Sequence, residues 1–298
     1  MTEEKTVIAL GFFDGVHLGH AALIKKTCAR AAELGASSAV LTFDVHPEKL
    51  IRGVEVPLIN NAAGRADIIR RLFNVDKIVS VHFDEETMLT PWQDFIRSLM
   101  LGLGAAHLVM GHDFRCGYKG EGTAERIVEY CGRLGLGCDV IPAVKLDGIV
   151  ISSSYIRKLI AEGNIRRANE FLGHPHILIE TVRQGTKLGR NLGVPTINME
   201  IPRGVVVPRY GVYATKAFFD DVEHIAVTNV GVKPTVNSSG KVTVETHILD
   251  FEGELYGRTV RLEFYEFLRP ERKFENLEEL KAQLTRDIDS ARAFFENN

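Results

Sequence analysis

Apolar residues fall into two textures along this chain. Through the first half, short apolar runs take turns with stretches in which apolar positions return every three or four residues. "KTVIALGFF", "SSAVLTF", "DKIVSVHF", "AHLVMG" and "GCDVIP" are the runs, and they read as strands. "HAALIKKTCARAAELG", "PWQDFIRSLMLGLG" and "TAERIVEYCGRLG" carry the helical spacing, the first closed by Gly35 as a C-terminal cap. Strands that alternate with helices predict a parallel sheet covered on both faces. Right-handed crossovers then give a doubly wound, Rossmann-like α/β domain whose ligands lie beyond the carboxyl ends of its strands. Two further short helices, "SYIRKLIAEG" and "IRRANEFLG", close this half.

The segment "GHPH", Gly173 to His176, reads as a junction, which sets the expected domains at 1–173 and 174–298. Beyond it short alternating strands dominate: "ILIETV", "GVYATKAFF", "HIAVTNVGV", "KVTVETHILDF" and "TVRLEFYEFL". Turn-forming clusters separate them, so the pattern predicts a small antiparallel β-barrel or sandwich. A terminal helix follows in "ENLEELKAQLTRDIDSARAFFENN", with Asn276 and Glu279 placed as a capping box. Leu277, Leu280, Leu284, Ile288 and Ala291 trace an apolar face expected to pack on the barrel.

Composition narrows the class without naming a chemistry. A length of 298 residues suits two domains, and 45% hydrophobic with 25% charged residues is ordinary for a globular protein. The net charge of -3 and the lack of a long Lys/Arg block argue against nucleic acid and anionic membrane as partners. The four cysteines form no C-x-x-C pair and fit a reducing compartment. The acidic start "MTEEKT" has no apolar leader, and no apolar run reaches membrane-spanning length. A cytoplasmic location is therefore expected, and a homo-oligomer stays open.

Candidate chemistry begins at "GFFDGVHLGH", Gly11 to His20, between the first strand and the first helix. Backbone N–H groups at a helix start receive phosphate readily, and His17 and His20 add donors there, with Gly19 allowing close approach. The pair has a plainer reading as helix caps, and a zinc reading that lacks a further ligand at a convincing spacing. Other polar stretches fall at strand ends or helix starts: "TFDVHP" with His46, "GHDFRCGYKGEG" with Asp113, Arg115 and Lys119, and "ISSSYIR" with Ser153, Ser154 and Arg157. One cleft at the rim of the sheet is expected to collect them, although the serines alone are ordinary N-caps.

In the second half, "GTKLGRNLGVPTIN" bends around Gly185, Gly189 and Gly193 and ends in Thr196 and Asn198. Alternation in an extended segment sends those two polar side chains one way, as hard oxygen ligands that suit Mg²⁺. By itself the stretch is also an ordinary polar loop entering a strand. In "KVTVETHILDF", Thr243, Glu245 and His247 share one side of a strand, and Glu245 near a metal-nucleotide loop can accept a proton from an attacking alcohol. A solvated carboxylate is the bland alternative.

Taken in order, "GFFDGVHLGH", "TFDVHP", "GHDFRCG", "ISSSYIR", "GRNLGVPTIN", "YGVYA", "TNVGVKPT", "ETHILDFEGELYG" and "FLRPERKF" resemble the bacterial bifunctional riboflavin kinase/FAD synthetase family over nearly the whole chain. The resemblance implies an N-terminal nucleotidyltransferase domain of the H-x-G-H type and a C-terminal riboflavin kinase barrel. It implies that the kinase half phosphorylates riboflavin to FMN, and that the N-terminal half joins FMN to the α-phosphorus of ATP, giving FAD and pyrophosphate. Carried over residue by residue, it implies ATP contacts at Gly11, Phe12, Phe13, Asp14, His17, Gly19, His20, Ser153, Ser154, Arg157, Gly189 and Gly193. It implies flavin contacts at Asp113, Arg115 and Arg269, Mg²⁺ held by Thr196 and Asn198, and Glu245 as the base. The family pattern carries Ala at Ile197 and Phe at Val194 and Cys116, and a Gly around Glu180; these departures bear on affinity rather than reaction type. Two other readings stand beside it: a single retained activity, and a non-catalytic flavin-binding regulator.

Overall fold

The computed structural model describes residues 5–185, 194–232 and 242–297. The chain divides into two compact units, one of residues 1–57 and 65–153, the other of residues 58–64 and 154–298.

In the first unit, strands β1 (Thr6–Leu10), β2 (Ser37–Phe43), β3 (Lys77–Val81), β4 (Ala105–Gly111) and β5 (Gly137–Ile141) form a parallel sheet in the order β3-β2-β1-β4-β5. Every residue of β1 is buried, as its central place requires. Helix α1 (Leu18–Leu34) packs on β1, β2 and β4. Gly35 ends it with φ 58°, its N–H turned back to the carbonyls of Ala31 and Ala32, a conformation that favours glycine. Four more helices follow: α2 (Pro47–Arg52), α3 (Ala62–Leu72), α4 (Glu85–Leu89) and α5 (Trp92–Leu103). With α6 (Ala124–Leu134), α5 covers Ile8, Leu10, Leu108 and Met110 through Trp92, Ile96, Leu99, Ile127 and Cys131. Strand order reverses direction between β1 and β4, which opens a crevice at their carboxyl ends, Leu10 and Gly111.

In the second unit, helices α7 (Ser153–Glu162), from Ser154 on, and α8 (Ile165–Leu172) precede six strands. These are β6 (His176–Thr181), β7 (Ile197–Glu200), β8 (Gly211–Phe219), β9 (Val222–Val232), β10 (Val242–Ile248) and β11 (Thr259–Pro270). They pair antiparallel in the order β6-β11-β8-β9-β10-β7. The sheet curls into a half-barrel, and just past β6 one bridge, Arg183 N–H donating to Asn198 O at 2.8 Å, reaches its far edge. Asn169 ties α8 to this half-barrel, donating to Phe264 O and accepting from His176 N–H, both at 2.8 Å. Leu58, far off in sequence, joins the same unit through hydrogen bonds with Gly204 and Val206.

The closing helix, α9 (Leu277–Glu296), corrects the apolar face expected for it. Leu277 is 60% exposed, and the buried line runs through Gln283, Asp287 and Ala291. Its centre is polar because Arg269 of β11 sends a two-pronged hydrogen bond to Asp287, at 2.8 and 2.7 Å, and Gln283 adds a third at 2.8 Å. Ile288, Ala291, Phe294 and Phe295 supply the apolar contact with Val212, Ala214 and Val227. Asn276 caps the helix as expected, accepting from Glu279 N–H at 2.8 Å, while Glu279 accepts from Glu275 rather than from the cap residue.

Candidate active sites

The Gly11–His20 turn leaves β1 by a route that most sequences avoid. Phe13 (φ 58°), Gly15 (φ 78°) and Val16 (φ 46°) all lie in the left-handed region, and two of the three are not glycine. The turn is held from outside: Phe13 is fully buried, and Thr42 Oγ1 donates to Phe12 O at 2.8 Å. Ser153 Oγ donates to Asp14 O at 3.0 Å.

The two histidines do different things. His17 caps α1, its Nδ1 accepting the N–H of His20 at 3.2 Å. That bond puts the proton of the neutral ring on Nε2, which makes Nε2 a donor. The His20 ring stacks on it, centroids 3.6 Å apart and 11° from parallel. Burial, then the charges of His17 and Arg65, hold His20 well below the usual imidazole range, so it stays neutral at pH 7. Its Nδ1 is buried with no hydrogen bond among the described residues. Both the capping and the phosphate-receiving readings of the pair are thus compatible with one geometry. A Cβ at Gly19 would lie 3.1 Å from the His17 ring, so a side chain there would press on the histidine.

Around the turn, the carboxyl ends of β2, β3 and β4 add polar groups. His46 caps α2 through Nδ1 and meets the Phe12 ring edge-on at 4.7 Å. Asp113 and Arg115 are exposed in the loop after β4, Arg115 donating to Gly120 O at 3.3 Å. Ser154 and Arg157 stand in the second unit, Arg157 donating to Ser154 Oγ at 2.9 Å. Two features escaped the sequence reading. Asp44 and His82 form an ion pair at 2.7 Å, which raises the His82 pKa and lowers that of Asp44. Arg65 lies buried behind Phe12. Asp44 and His82 directly follow apolar runs, the one signal that marks them.

The second cluster sits on the half-barrel. Along β10, Val244, Thr246 and Ile248 are buried while Thr243, Glu245 and His247 face the other way, as the alternation predicts. Glu245 stands directly across from Asn198 on β7 and from Asn229 on β9, so the three side chains share a face. The same row continues through Val212 to Arg269. Thr196, Asn198, Gly185, Glu254 and Tyr256 border an open pocket beside it. His247 Nδ1 donates to Pro195 O at 2.8 Å, which fixes the approach of the Thr196–Asn198 segment. Gly189 and Gly193 lie outside the described residues.

A cation would meet hard oxygen donors here. Among the described residues no group of three His, Cys, Asp or Glu could hold a metal. The Thr196 hydroxyl and the Asn198 amide oxygen instead suit a divalent ion that shares phosphate oxygens and water. The loop backbone cradles Asn198 closely: a Cβ at Gly185 would lie 2.3 Å from its amide nitrogen.

Comparison with known proteins matches each half of the chain to a family. The family profile described as FAD synthetase matches residues 1–155, and the profile described as riboflavin kinase matches residues 172–295. A bifunctional riboflavin kinase/FMN adenylyltransferase of Listeria monocytogenes is 36% identical over 99% of this chain and 94% of its own length. The protein of the same name from Bacillus subtilis is 34% identical, with the same coverage. The chain belongs to this family. A crystal structure from Streptococcus pneumoniae, named a macrolide-efflux protein, shares the fold with a TM-score of 0.86 and 28% identity, over 98% of this chain and 95% of that one. Among the described residues no helix is long and apolar enough to cross a membrane.

Proposed function

We propose that this chain is a bifunctional enzyme of flavin cofactor synthesis, which phosphorylates riboflavin to FMN and then adenylylates FMN to FAD. The observation that carries the reading is the family match in both halves, each falling on one of the two polar clusters. In the kinase step the 5′-hydroxyl of riboflavin attacks the γ-phosphorus of ATP, loses its proton, and ADP leaves. Glu245 accepts that proton, held at its place by pairing across from Asn198 and Asn229. From Glu245 to Arg269 the row crosses three strand spacings, roughly 14 Å, a span that suits an extended molecule with an alcohol at one end and a ring system at the other. Arg269, fixed by Asp287, borders the ring end. Thr196 and Asn198 hold Mg²⁺, which when bound offsets phosphate charge. Gly189 and Gly193 are ATP-binding residues in this reading.

In the second step the FMN phosphate attacks the α-phosphorus of ATP and pyrophosphate leaves. That phosphate is already anionic, so no strong base is required and alignment with charge neutralisation carries the rate. Gly11, Phe12, Phe13, Asp14 and Gly19 shape the turn for ATP, and His17 and His20 donate to its phosphates. Ser153, Ser154 and Arg157 assist there, and Asp113 and Arg115 contact the flavin side. The functional boundary is placed at 173/174, and the cytoplasm, where ATP is supplied, is the compartment this reading implies.

Purified protein given riboflavin, ATP and Mg²⁺ is expected to yield FMN, then FAD, with ADP and pyrophosphate as co-products resolved by chromatography. FMN without FAD would leave only the kinase; flavin binding without ATP consumption would leave a regulator.

A further inference from the structure

Three arginines fall in α3, and one of them is unlike the others. Arg70 and the Asp67-paired Arg71 are exposed, whereas Arg65 is 1% exposed and among the largest fully buried side chains. Its Nη2 donates to Phe43 O at 2.6 Å, at the end of β2. Its guanidinium carbon lies 4.2 Å from the centre of the Phe12 ring. Nε and Nη1 are buried and make no hydrogen bond among the described residues. Burial pulls its pKa down, and the charges of Asp14 and Asp44 push back.

Stability alone does not account for such a residue. Two unsatisfied donors on a desolvated cation are costly, and an apolar side chain of similar volume would avoid the cost. The two groups that Arg65 contacts here, Phe12 and Phe43, belong to the rim around the Gly11–His20 turn, as do the groups whose charge it feels or shifts, Asp14, Asp44 and His20. That turn carries two non-glycine residues in the left-handed region, and such a backbone persists only when its surroundings over-determine it. Thr42 holds the Phe12 carbonyl, and Arg65 supports the Phe12 ring from behind.

We propose that Arg65 is a positioning residue of the adenylyl-transfer site, holding the Gly11–His20 turn in its phosphate-receiving shape through Phe12 and Phe43 and setting a fixed positive charge behind it. The proposal rests on the reading of that turn as the ATP phosphate site. It acts through the turn and not by touching substrate, so its loss weakens ATP capture in FAD formation and leaves the kinase step alone.

The test uses the full chain with FMN, ATP and Mg²⁺, and the riboflavin kinase reaction as a second readout. Arg65→Met is expected to raise KM for ATP in FAD formation about tenfold. Kinase activity stays at the parent level. Arg65→Lys, which keeps the positive charge but not the planar fork over the Phe12 ring, recovers part of the loss. An unchanged KM overturns the proposal even where kcat falls, because that pattern is a reduced active fraction; so does a lysine variant no better than the methionine one. If Arg65→Met is recovered unfolded, Phe12→Leu keeps the arginine and removes the ring it supports. It raises KM for ATP in the same sense, and an unchanged KM there overturns the proposal. A parent that makes no FAD from FMN and ATP sinks the site reading itself; a parent that makes FAD beside an Arg65→Met variant with parental KM sinks only the role of Arg65.

Discussion

Glu245 differs from a solvated strand carboxylate in what stands across from it: Asn198 on one side and Asn229 on the other. Glu245→Gln keeps the shape and the hydrogen-bonding edge but cannot take a proton. FMN formation is expected to fall about 10²–10⁴-fold, while FAD formation from supplied FMN is unchanged, read by separate assays of the two steps. His176 makes a second prediction, about stability. It is buried in β6 with Nδ1 unsatisfied, and burial with the nearby His174 pushes its pKa down to about 3. The native state therefore refuses a proton that the unfolded chain accepts near 6.5. The contribution is complete above roughly pH 6.5 and is lost as pH falls toward about 3, at about 1.4 kcal/mol per pH unit. His20 and His107 are lowered in the same sense. Urea midpoints measured from pH 7 to pH 5 should fall, and His176→Gln should flatten part of that slope.

Among elements, α9 is the clearest case in which a buried charge fixes a position. The Asp287 side chain is 4% exposed and that of Arg269 19%, so removing the carboxylate strands a largely desolvated guanidinium. Asp287→Ala is expected to cost about 3 kcal/mol by urea unfolding, and adding Arg269→Met should return part of it. The sequence announced this helix, its cap and, in Ile288 and Ala291, part of its packing face, yet missed the polar centre at Gln283 and Asp287, because periodicity counts apolar residues and does not see a cation waiting on β11. Strands were legible wherever an apolar run was bounded by turn residues: Gly211–Phe219 coincides with the run read from the sequence. Helices α2 and α4 were not, since neither buries a residue and so neither carries an apolar stripe. The histidine pair was legible as a helix start, but not its division into one cap and one neutral ring. Arg65 was invisible for a further reason: nothing local separates it from Arg70 and Arg71, and its partners Phe12 and Phe43 come from the turn after β1 and the end of β2.

At the scale of the whole molecule, each polar cluster has its core within one unit. Gly11 to His20, Thr42 and Arg65 belong to the first, and Asn198, Glu245 and Arg269 to the second. The product of one step is the substrate of the other, and FMN is a small anion able to diffuse between chains. A chain carrying Glu245→Gln should therefore make FAD only from FMN, and a chain carrying His17→Ala with His20→Ala should stop at FMN. Mixed together with riboflavin and ATP, the two variants are expected to restore FAD, after a lag in which free FMN accumulates. The lag should lengthen on dilution, since FMN must build up in solution before the second chain captures it. FMN and FAD followed by chromatography over time check this. A Glu245→Gln chain that fails to convert added FMN, in a mixture that accumulates FMN without forming FAD, would mean that FMN must pass within a single chain and that the two units do not act independently.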